Sequence, residues 1–536
     1  MFKKHACYLS LCLLVAPLVA TADDLLGDPP TPLQATLAQL STSCPGLAAQ
    51  MDAATQLRLQ AFYQQQGNAP LWSAEGRLAA LQAQLPRLAD DGLDPARYPL
   101  PRDAGTSDAL CSDIQVSRQY LQALHDLRYG RLSQARFEPL WRSQPSIGEP
   151  DAELLTLAAT GLQDMAQAFN QARPNAELYR NLRNAYAAQR QQPLPHWSAV
   201  EGGPLLRPGM EDARVPALAR RLFAEGYLPN RPSDTDKVYG EALAEAVKHF
   251  QYRHSLQADG VIGPGTLVEL NISPALRREQ LRLNLERFRW LAPDLEPEGV
   301  LVNVAAAQLS FYRGGEPLWQ TRLQVGRADR QTPLLKSHIT RLTLNPTWTI
   351  PPTILREDKL PAIRPDPAAY LAQQNLQVFD SEGRPLAANE VDWERPGNIL
   401  LRQGAGPRNP LGKIVLRFPN PFSVYLHDTP SQPLFSKGPR AFSSGCVRVE
   451  QPLHLRDLLL SSTERTRTDD LLASGTTHEY RLTAPVPILL AYWTVQVDHD
   501  GALLYAPDIY GRDPVLLKAL GGSADTMQAP HQVGAL

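Results

Sequence analysis

The chain has 536 residues, a formal net charge of −2 at pH 7 and a hydrophobic fraction of 43%. This length exceeds one ordinary hydrophobic core, so we expect roughly two to four domains. The near-zero net charge excludes a bulk electrostatic drive toward nucleic acid. The 48 prolines indicate loops and linkers rather than one long disordered tail.

The N-terminus has the pattern of a secretory signal peptide over residues 1–22. Lys3 and Lys4 precede an apolar run over residues 8–19, and small residues at 20–22 fit a cleavage site. The apolar run is short for a transmembrane helix. We therefore predict an exported protein with a cleaved signal peptide; an uncleaved inner-membrane anchor is the alternative.

Cysteine usage agrees with export. Removal of the leader leaves Cys44, Cys111 and Cys446. An odd count in an oxidising compartment indicates one disulfide and one free thiol. Because Cys44 and Cys111 both lie in the N-terminal region, we take them as the pair; three unpaired thiols are the alternative.

The residues after the leader divide by composition and periodicity. Residues 23–195 are rich in Ala, Leu, Gln and Arg and predict a helical scaffold domain without a catalytic constellation. Pro and Gly at 190–210 suit a linker. Residues 211–272 predict a small module of three helices, and a further helix is predicted from Pro274 to Leu291.

From residue 299 to about 515, short apolar runs separated by Gly and Pro predict a mainly β domain. One of its strands is expected at Phe422–His427. Residues 353–406 interrupt the strand rhythm and predict an inserted capping subdomain, which would be a lid or a packing elaboration. The predicted fold class is a multidomain α+β protein.

The chemistry-bearing residues of this domain are His427 and Cys446. A histidine within reach of a thiol raises the thiolate fraction and later returns the proton to a leaving amine. Asp428 follows His427 directly, and neighbours on a strand point to opposite faces. We therefore expect the backbone carbonyl of Asp428, rather than its carboxylate, to orient the imidazole.

Residues around this pair supply candidate groups for a developing oxyanion. The backbone N–H groups around Ser444, Gly445 and Cys446 are suitable, because glycine allows the chain to turn its amides inward. Tyr425 shares the strand face of His427 and is an auxiliary donor. Arg448 would either shape the loop or hold a substrate carboxylate, and we favour the structural role.

The motif around these residues resembles the signature of the L,D-transpeptidase (YkuD) family, His … Ser-x-Gly-Cys-x-Arg. Residues 211–272 resemble the peptidoglycan-binding-domain family, and the whole arrangement is similar to the large periplasmic YcbB-type subgroup. The matching residues are His427-Asp428-Thr429-Pro430, Arg440 to Val449, Val325-Gly326, Thr332-Pro333, Asn345-Pro346, Asn409-Pro410-Leu411-Gly412, Asp508 to Gly511, Phe250-Gln251, His254 and Asp259 to Gly263.

This resemblance implies a specific reaction in the periplasm. Cys446 would form a thioester with the third residue of a peptidoglycan tetrapeptide stem and release D-alanine. An amine of a second stem would resolve the thioester to a 3→3 cross-link. The resemblance also implies stem peptides and glycan as partners, no metal or other cofactor, and acylation by carbapenems. Other cell-wall synthesis enzymes are a further class of partner.

Alternative functions remain open at this point. Water as acceptor would make the protein an L,D-carboxypeptidase, and a lipoprotein lysine would make it an anchoring enzyme. A reading of a different class is a non-catalytic cell-wall-binding scaffold in which the module at 211–272 is the main functional part. The intact Cys446 and His427 argue against that reading.

Overall fold

The computed structural model describes residues 29–101, 109–144 and 150–522, so the predicted signal peptide at 1–22 lies outside the described residues. The chain divides into two compact units. The first falls within residues 1–78 and 100–121, and the second within 79–99 and 122–536. Across the described ranges, every helix is too short or too polar to cross a membrane.

The first unit is helical and carries the predicted disulfide between Cys44 and Cys111, which is confirmed. At its centre the buried Asp113 accepts hydrogen bonds from the Tyr63 hydroxyl at 2.6 Å and from the Trp72 N–H at 2.9 Å. The helices are α1 (Pro32–Ala38), α2 (Leu40–Ser43), α3 (Pro45–Ala48), α4 (Ala53–Gln65), α5 (Arg77–Gln84) and α6 (Ala109–Tyr129), the last two extending into the second unit.

The second unit begins with the remaining scaffold helices, as the sequence predicts. A 3₁₀ helix, Leu85–Asp91, follows α5. The other elements of this part are α7 (Gln134–Phe137), a two-residue strand β1 (Trp141–Arg142), α8 (Pro150–Gly161), α9 (Met165–Ala172) and α10 (Glu177–Gln191).

The predicted three-helix module is confirmed. Val200 and Leu206 are buried in its core, so the second half of the predicted linker at 190–210 packs as part of the module. Proline in the first turn is compatible with a helix start, since its missing N–H has no intrahelical partner there. The helices are α11 (Val215–Ala224), α12 (Glu241–Arg253), α13 (Pro264–Leu270) and the connecting α14 (Pro274–Leu291).

The predicted β domain is a mixed sheet that closes on itself, because β14 pairs with both β2 and β5. Its strands surround one apolar core. The strands are β2 (Gly299–Asn303), β3 (Gln308–Arg313), β4 (Glu316–Gly326), β5 (Leu335–Leu344), β10 (Ile414–Arg417), β11 (Leu426–His427), β12 (Ala441–Ser443), β13 (Val447–Val449) and β14 (His478–Ala491), with a hairpin of β15 (Val495–Val497) and β16 (Leu503–Tyr505). Its helices are α18 (Pro452–Leu459), α19 (Ser462–Ala473) and α20 (Asp513–Ala519).

The strand predicted at Phe422–His427 is much shorter, since only Leu426–His427 is extended into the sheet. The residues before it form a tight loop. The Asn420 side chain accepts hydrogen bonds from the N–H groups of Phe422 and Val424, and Ser423 has a left-handed φ of 55°. The asparagine thus replaces sheet partners with its own amide oxygen.

The insertion forms a separate small sheet with its own apolar core. It includes a helix at Pro367–Gln374. The elements are β6 (Trp348–Thr349), α15 (Pro352–Ile354), a π-helical turn (Leu355–Lys359), α16 (Leu360–Ile363), α17 (Pro367–Gln374), β7 (Leu376–Phe379), β8 (Pro385–Leu386) and β9 (Leu400–Gln403).

The turn after α12 joins the three-helix module to the β domain. The Ser255 hydroxyl donates to the Tyr505 carbonyl at 2.9 Å, and the His254 ring stacks on Tyr505. On the other side, Gly438 has no space for a side chain, because a Cβ there would lie 2.5 Å from the backbone of Gln257. The module therefore contacts the segment that leads from His427 to Cys446.

Arg287 on α14 connects three parts of the second unit. Its fully buried guanidinium donates to Glu138 at 2.9 Å and to Asp513 at 2.6 Å. Asp513 also accepts from the Thr494 hydroxyl at 2.8 Å. Each buried charge has a partner, which is the condition under which burial of charge is tolerated.

We predict that Arg287→Met strongly destabilises the protein, because it leaves Glu138 and Asp513 buried without a cation; the expected cost is about 3–5 kcal/mol. The measurement is the midpoint of urea unfolding followed by circular dichroism. Arg384→Met is the control, since the ion pair of Arg384 with Asp380 is exposed and its loss should leave the midpoint nearly unchanged. Equal midpoints for both variants would contradict the prediction.

Candidate active site

The register between β11 and β13 determines which side chains meet. These strands are parallel and pair His427 with Arg448, while the Val447 N–H donates to the Tyr425 carbonyl at 3.1 Å. Residues two apart on a strand point to the same face, and so do paired residues on adjacent strands. Tyr425 and Cys446 precede these strands, yet the Tyr425 ring lies 5.6 Å from the His427 ring and Arg448 influences the pKa of both His427 and Cys446, so the four side chains gather on one side of the two strands.

The imidazole of His427 is buried and oriented by the backbone. Its Nδ1 lies 2.6 Å from the Asp428 carbonyl oxygen. The Asp428 carboxylate accepts instead from the N–H groups of Lys413 and Thr429, both at 2.8 Å. The hydrogen bond that the sequence predicts is thus present, and it leaves Nε2 as the basic nitrogen.

The turn between the insertion and β10 supports His427 from behind. Asn409 is buried, and its amide donates to the carbonyls of Pro346 at 2.9 Å and Gly404 at 3.0 Å, which flank the insertion. The Pro410 carbonyl lies near the His427 ring and, like the Asp428 carbonyl, raises the pKa of His427 against the effect of burial. Gly412 has a φ of 59°, and a Cβ there would overlap the Asp428 carboxylate.

The Cys446 thiol is half-buried and is the free cysteine of the described residues. Its Sγ lies 3.7 Å from the Ser423 carbonyl, to which it donates. Burial raises the pKa of Cys446 above its ordinary value, and hydrogen bonds from the Tyr425 backbone and hydroxyl, together with Arg448, act in the opposite direction. The resting sulfur is therefore mainly a thiol at neutral pH.

The histidine is neutral in the same resting state. Burial, followed by the nearby Arg448 guanidinium, lowers the pKa of His427 to about 3, although the carbonyls of Asp428 and Pro410 partly oppose this shift. A neutral imidazole accepts a proton, so this state is the one that a general base requires.

Among the N–H groups that we expected to stabilise the oxyanion, the one of Gly445 needs correction. The Gly445 N–H donates to the Ser443 hydroxyl at 3.1 Å, and the Gly445 carbonyl accepts from Thr332 at 2.8 Å, so this peptide group is held within the loop. Gly445 does have the left-handed φ of 113° that the turn requires. Within the described residues, the N–H groups of Ser444 and Cys446 donate no hydrogen bond.

Two further predicted residues have defined partners. Arg448 donates to the Gln324 side chain at 3.0 Å, which agrees with a loop-shaping role. The Tyr425 ring lies between the Arg417 guanidinium, 5.2 Å from its centroid, and the His427 ring, 5.6 Å away.

Sequence reasoning assigned no role at the site to Thr332, Tyr510 or Arg330. Thr332 joins the Gly326 N–H to the Gly445 carbonyl, and the Tyr510 hydroxyl donates to the Gly326 carbonyl at 2.7 Å. Arg330 donates to the Ser444 hydroxyl at 3.0 Å. The sequence could have pointed to Thr332 and Tyr510, because both lie in segments that match the family motif. Nothing in the sequence pointed to Arg330.

Three family models match the chain. One described as "Scaffold domain" matches residues 57–185, and one described as "Putative peptidoglycan binding domain" matches residues 211–270. The third, described as "L,D-transpeptidase catalytic domain", matches residues 297–484 and so contains the site described above.

A curated protein and a solved structure are also similar. A protein of Haemophilus influenzae described as "Putative L,D-transpeptidase" is 34% identical over 267 residues, which cover 49% of this chain and 52%, about half, of that relative. A crystal structure of the L,D-transpeptidase from Xylanimonas cellulosilytica is 16% identical to this chain, with a TM-score of 0.18. The match covers 54% of this chain and 98% of the other. Residues 297–484 thus match the catalytic domain of the L,D-transpeptidase (YkuD) family, and a scaffold domain and a peptidoglycan-binding domain precede it in the chain.

Proposed function

We propose that the protein is a peptidoglycan L,D-transpeptidase that uses Cys446 as nucleophile and His427 as base. The observation that carries the proposal is the gathering of these two side chains on one side of β11 and β13, with the imidazole held by the Asp428 carbonyl. A thiol and an oriented neutral imidazole are the parts required for acyl transfer through a thioester.

In the acylation step, Nε2 of His427 takes the proton of the Cys446 thiol as the sulfur attacks the carbonyl of the third stem residue. The new S–C bond replaces the C–N bond to D-alanine, and the imidazolium returns its proton to the leaving amine. The Cys446 N–H and the Tyr425 hydroxyl are our candidates for stabilising the oxyanion.

In the second step, an amine of another stem attacks the thioester and gives its proton to His427. The S–C bond breaks, the thiol regains a proton, and a 3→3 cross-link remains. Water as acceptor would give a carboxypeptidase, and a lipoprotein lysine would give anchoring. We favour the stem amine because a peptidoglycan-binding domain accompanies the catalytic domain and would keep a second stem nearby.

Stem peptides and glycan are the partners that this function requires, and the periplasm, reached through the predicted signal peptide, is the compartment. A disulfide at Cys44–Cys111 is typical of an oxidising compartment. Carbapenems are acyl donors for the same thiol, so we expect them to form an adduct on Cys446.

We also propose that the insertion is a lid over the catalytic loop. Arg330, whose side chain is 12% exposed, donates to Ser444 and to both Glu357 and Asp358 on the π-helical turn of the insertion. One guanidinium therefore connects the insertion to the residue two positions before the nucleophile. π-Helical turns often occur at functional sites.

The proposed reaction is tested by mixing the purified protein with disaccharide-tetrapeptide and analysing the muropeptides by mass spectrometry. We expect a dimer that lacks one D-alanine, absent with Cys446→Ala. Tripeptide alone would identify water as acceptor and contradict the cross-linking proposal. If no product forms, a carbapenem adduct on Cys446 separates a site that lacks an activator from a non-catalytic scaffold.

The low pKa of His427 predicts that kcat/KM falls only at an unusually low pH. Because the folded enzyme keeps the imidazole neutral well below its ordinary pKa of 6.5, we expect kcat/KM for D-alanine release to change little from about pH 7 to about pH 5. The measurement is the pH profile on soluble tetrapeptide. An acid limb centred near 6.5 would contradict the lowered pKa of His427.

Arg330→Gln should loosen the lid. The substitution removes the charge that pairs with Glu357 and Asp358, so we expect faster hydrogen exchange in the π-helical turn and roughly tenfold lower kcat/KM. Arg356→Gln is the matched control, because the Arg356 side chain is 70% exposed and lies 3.9 Å from Glu357. Unchanged exchange and turnover in Arg330→Gln would refute the lid.

A further inference from the structure

The scaffold region contributes a strand to the catalytic sheet. In β1, Trp141 pairs with Leu335 and Arg142 with Lys336 at the edge of β5. The Arg142 guanidinium donates to both carboxylate oxygens of Asp294, at 3.0 and 2.6 Å. Backbone pairing and this bidentate ion pair together fix the position of Trp141.

Trp141 packs against the loop that precedes β11. Its ring lies 6.2 Å from the ring of Phe422 at an interplanar angle of 81°, an edge-to-face contact. Phe422 is 47% exposed, and Trp141 is the aromatic side chain that packs against it. The contact therefore links Trp141, which is distant in the sequence, to the loop at the edge of the active site.

The loop transmits the position of Phe422 to its neighbours. Asn420 accepts from the N–H of Phe422 at 3.0 Å and from the N–H of Val424 at 3.1 Å, and its amide donates to the Val424 carbonyl at 2.8 Å. Ser423 lies between them with its left-handed φ. Because these bonds hold the loop as one tight turn, a displacement of Phe422 moves Ser423 and Val424 with it.

The other side of this loop touches the nucleophile. The Ser423 carbonyl accepts from the Cys446 thiol at 3.7 Å. Tyr425, the next residue after Val424, supplies backbone and hydroxyl hydrogen bonds to the same sulfur, and these lower the pKa of Cys446 against the effect of burial. The surroundings of the sulfur therefore depend on where the loop lies.

We propose that Trp141 is a positioning residue of the active site, which acts through Phe422 to hold residues 420–425 against the Cys446 sulfur. The scaffold region thereby helps to set the reactivity of a thiol to which it makes no direct contact. This inference rests on the proposed role of Cys446 as nucleophile, and it deepens that role by adding a residue outside the catalytic domain.

The test measures alkylation of Cys446 by iodoacetamide in the full chain as a function of pH, quantified by mass spectrometry of the Cys446 peptide. In Trp141→Ala and in Phe422→Ala, we expect the midpoint to shift by about half a pH unit, in the same direction in both variants, with a roughly threefold change in alkylation at a fixed pH below it. The double variant should shift no further than either single variant, since both act through one contact.

Trp319→Ala is the matched control. Trp319 is another partly buried tryptophan of the same core, and its ring contacts His454 on α18 rather than the loop. We expect its pH profile to match that of the wild type. Trp141→Phe should also keep the wild-type profile, because it retains a ring against Phe422.

An unchanged profile in Trp141→Ala, or additive shifts in the double variant, would overturn the inference. If Trp141→Ala does not fold, Trp141→Leu carries the same expectation and the same refutation, because it keeps apolar bulk on the core. Alkylation needs no peptidoglycan. A chain that shows the shift but makes no cross-linked dimer would support the role of Trp141 and count against transpeptidation alone.

Discussion

The parallel pairing of β11 with β13 is the constraint on which the active site depends. It is only two residue pairs long, yet it sets His427 beside Arg448, two residues after Cys446. A slip of one residue would turn every side chain of one strand to the opposite face. Much of the surrounding structure maintains this register: the Asn420 loop before β11, the Asp428 carboxylate after it, and Thr332 against the nucleophile loop.

Burial of the two side chains determines the electrostatics of the site. Burial favours the uncharged forms of both His427 and Cys446, so the resting pair is a thiol and a neutral imidazole rather than an ion pair. Arg448 lies close enough to influence both pKa values in the direction that favours thiolate and neutral base. In the reaction that we propose, the separation of charge is thus deferred until a substrate carbonyl is present to accept the electrons of the sulfur.

Much of this arrangement could be predicted because its signals are local. The pair His427 and Cys446, the Asp428 carbonyl and the helix Pro274–Leu291 follow from short stretches of sequence and simple geometry. Residues 422–425 were predicted as part of a strand, whereas the Asn420 side chain competes for the backbone there. The contribution of Trp141 could not be predicted, since it depends on a sheet edge formed nearly two hundred residues later.

The two hydrogen bonds donated by the Asn409 side chain limit how the insertion can move. One amide group holds the carbonyls of Pro346 and Gly404, so the two chain ends that carry the insertion cannot separate or slide independently. If the insertion moves as a rigid body, both of its ends therefore move together and act on the Asn409 turn. Pro410 follows in that turn and its carbonyl influences the pKa of His427, so such a motion would bear on the imidazole that we propose as the base.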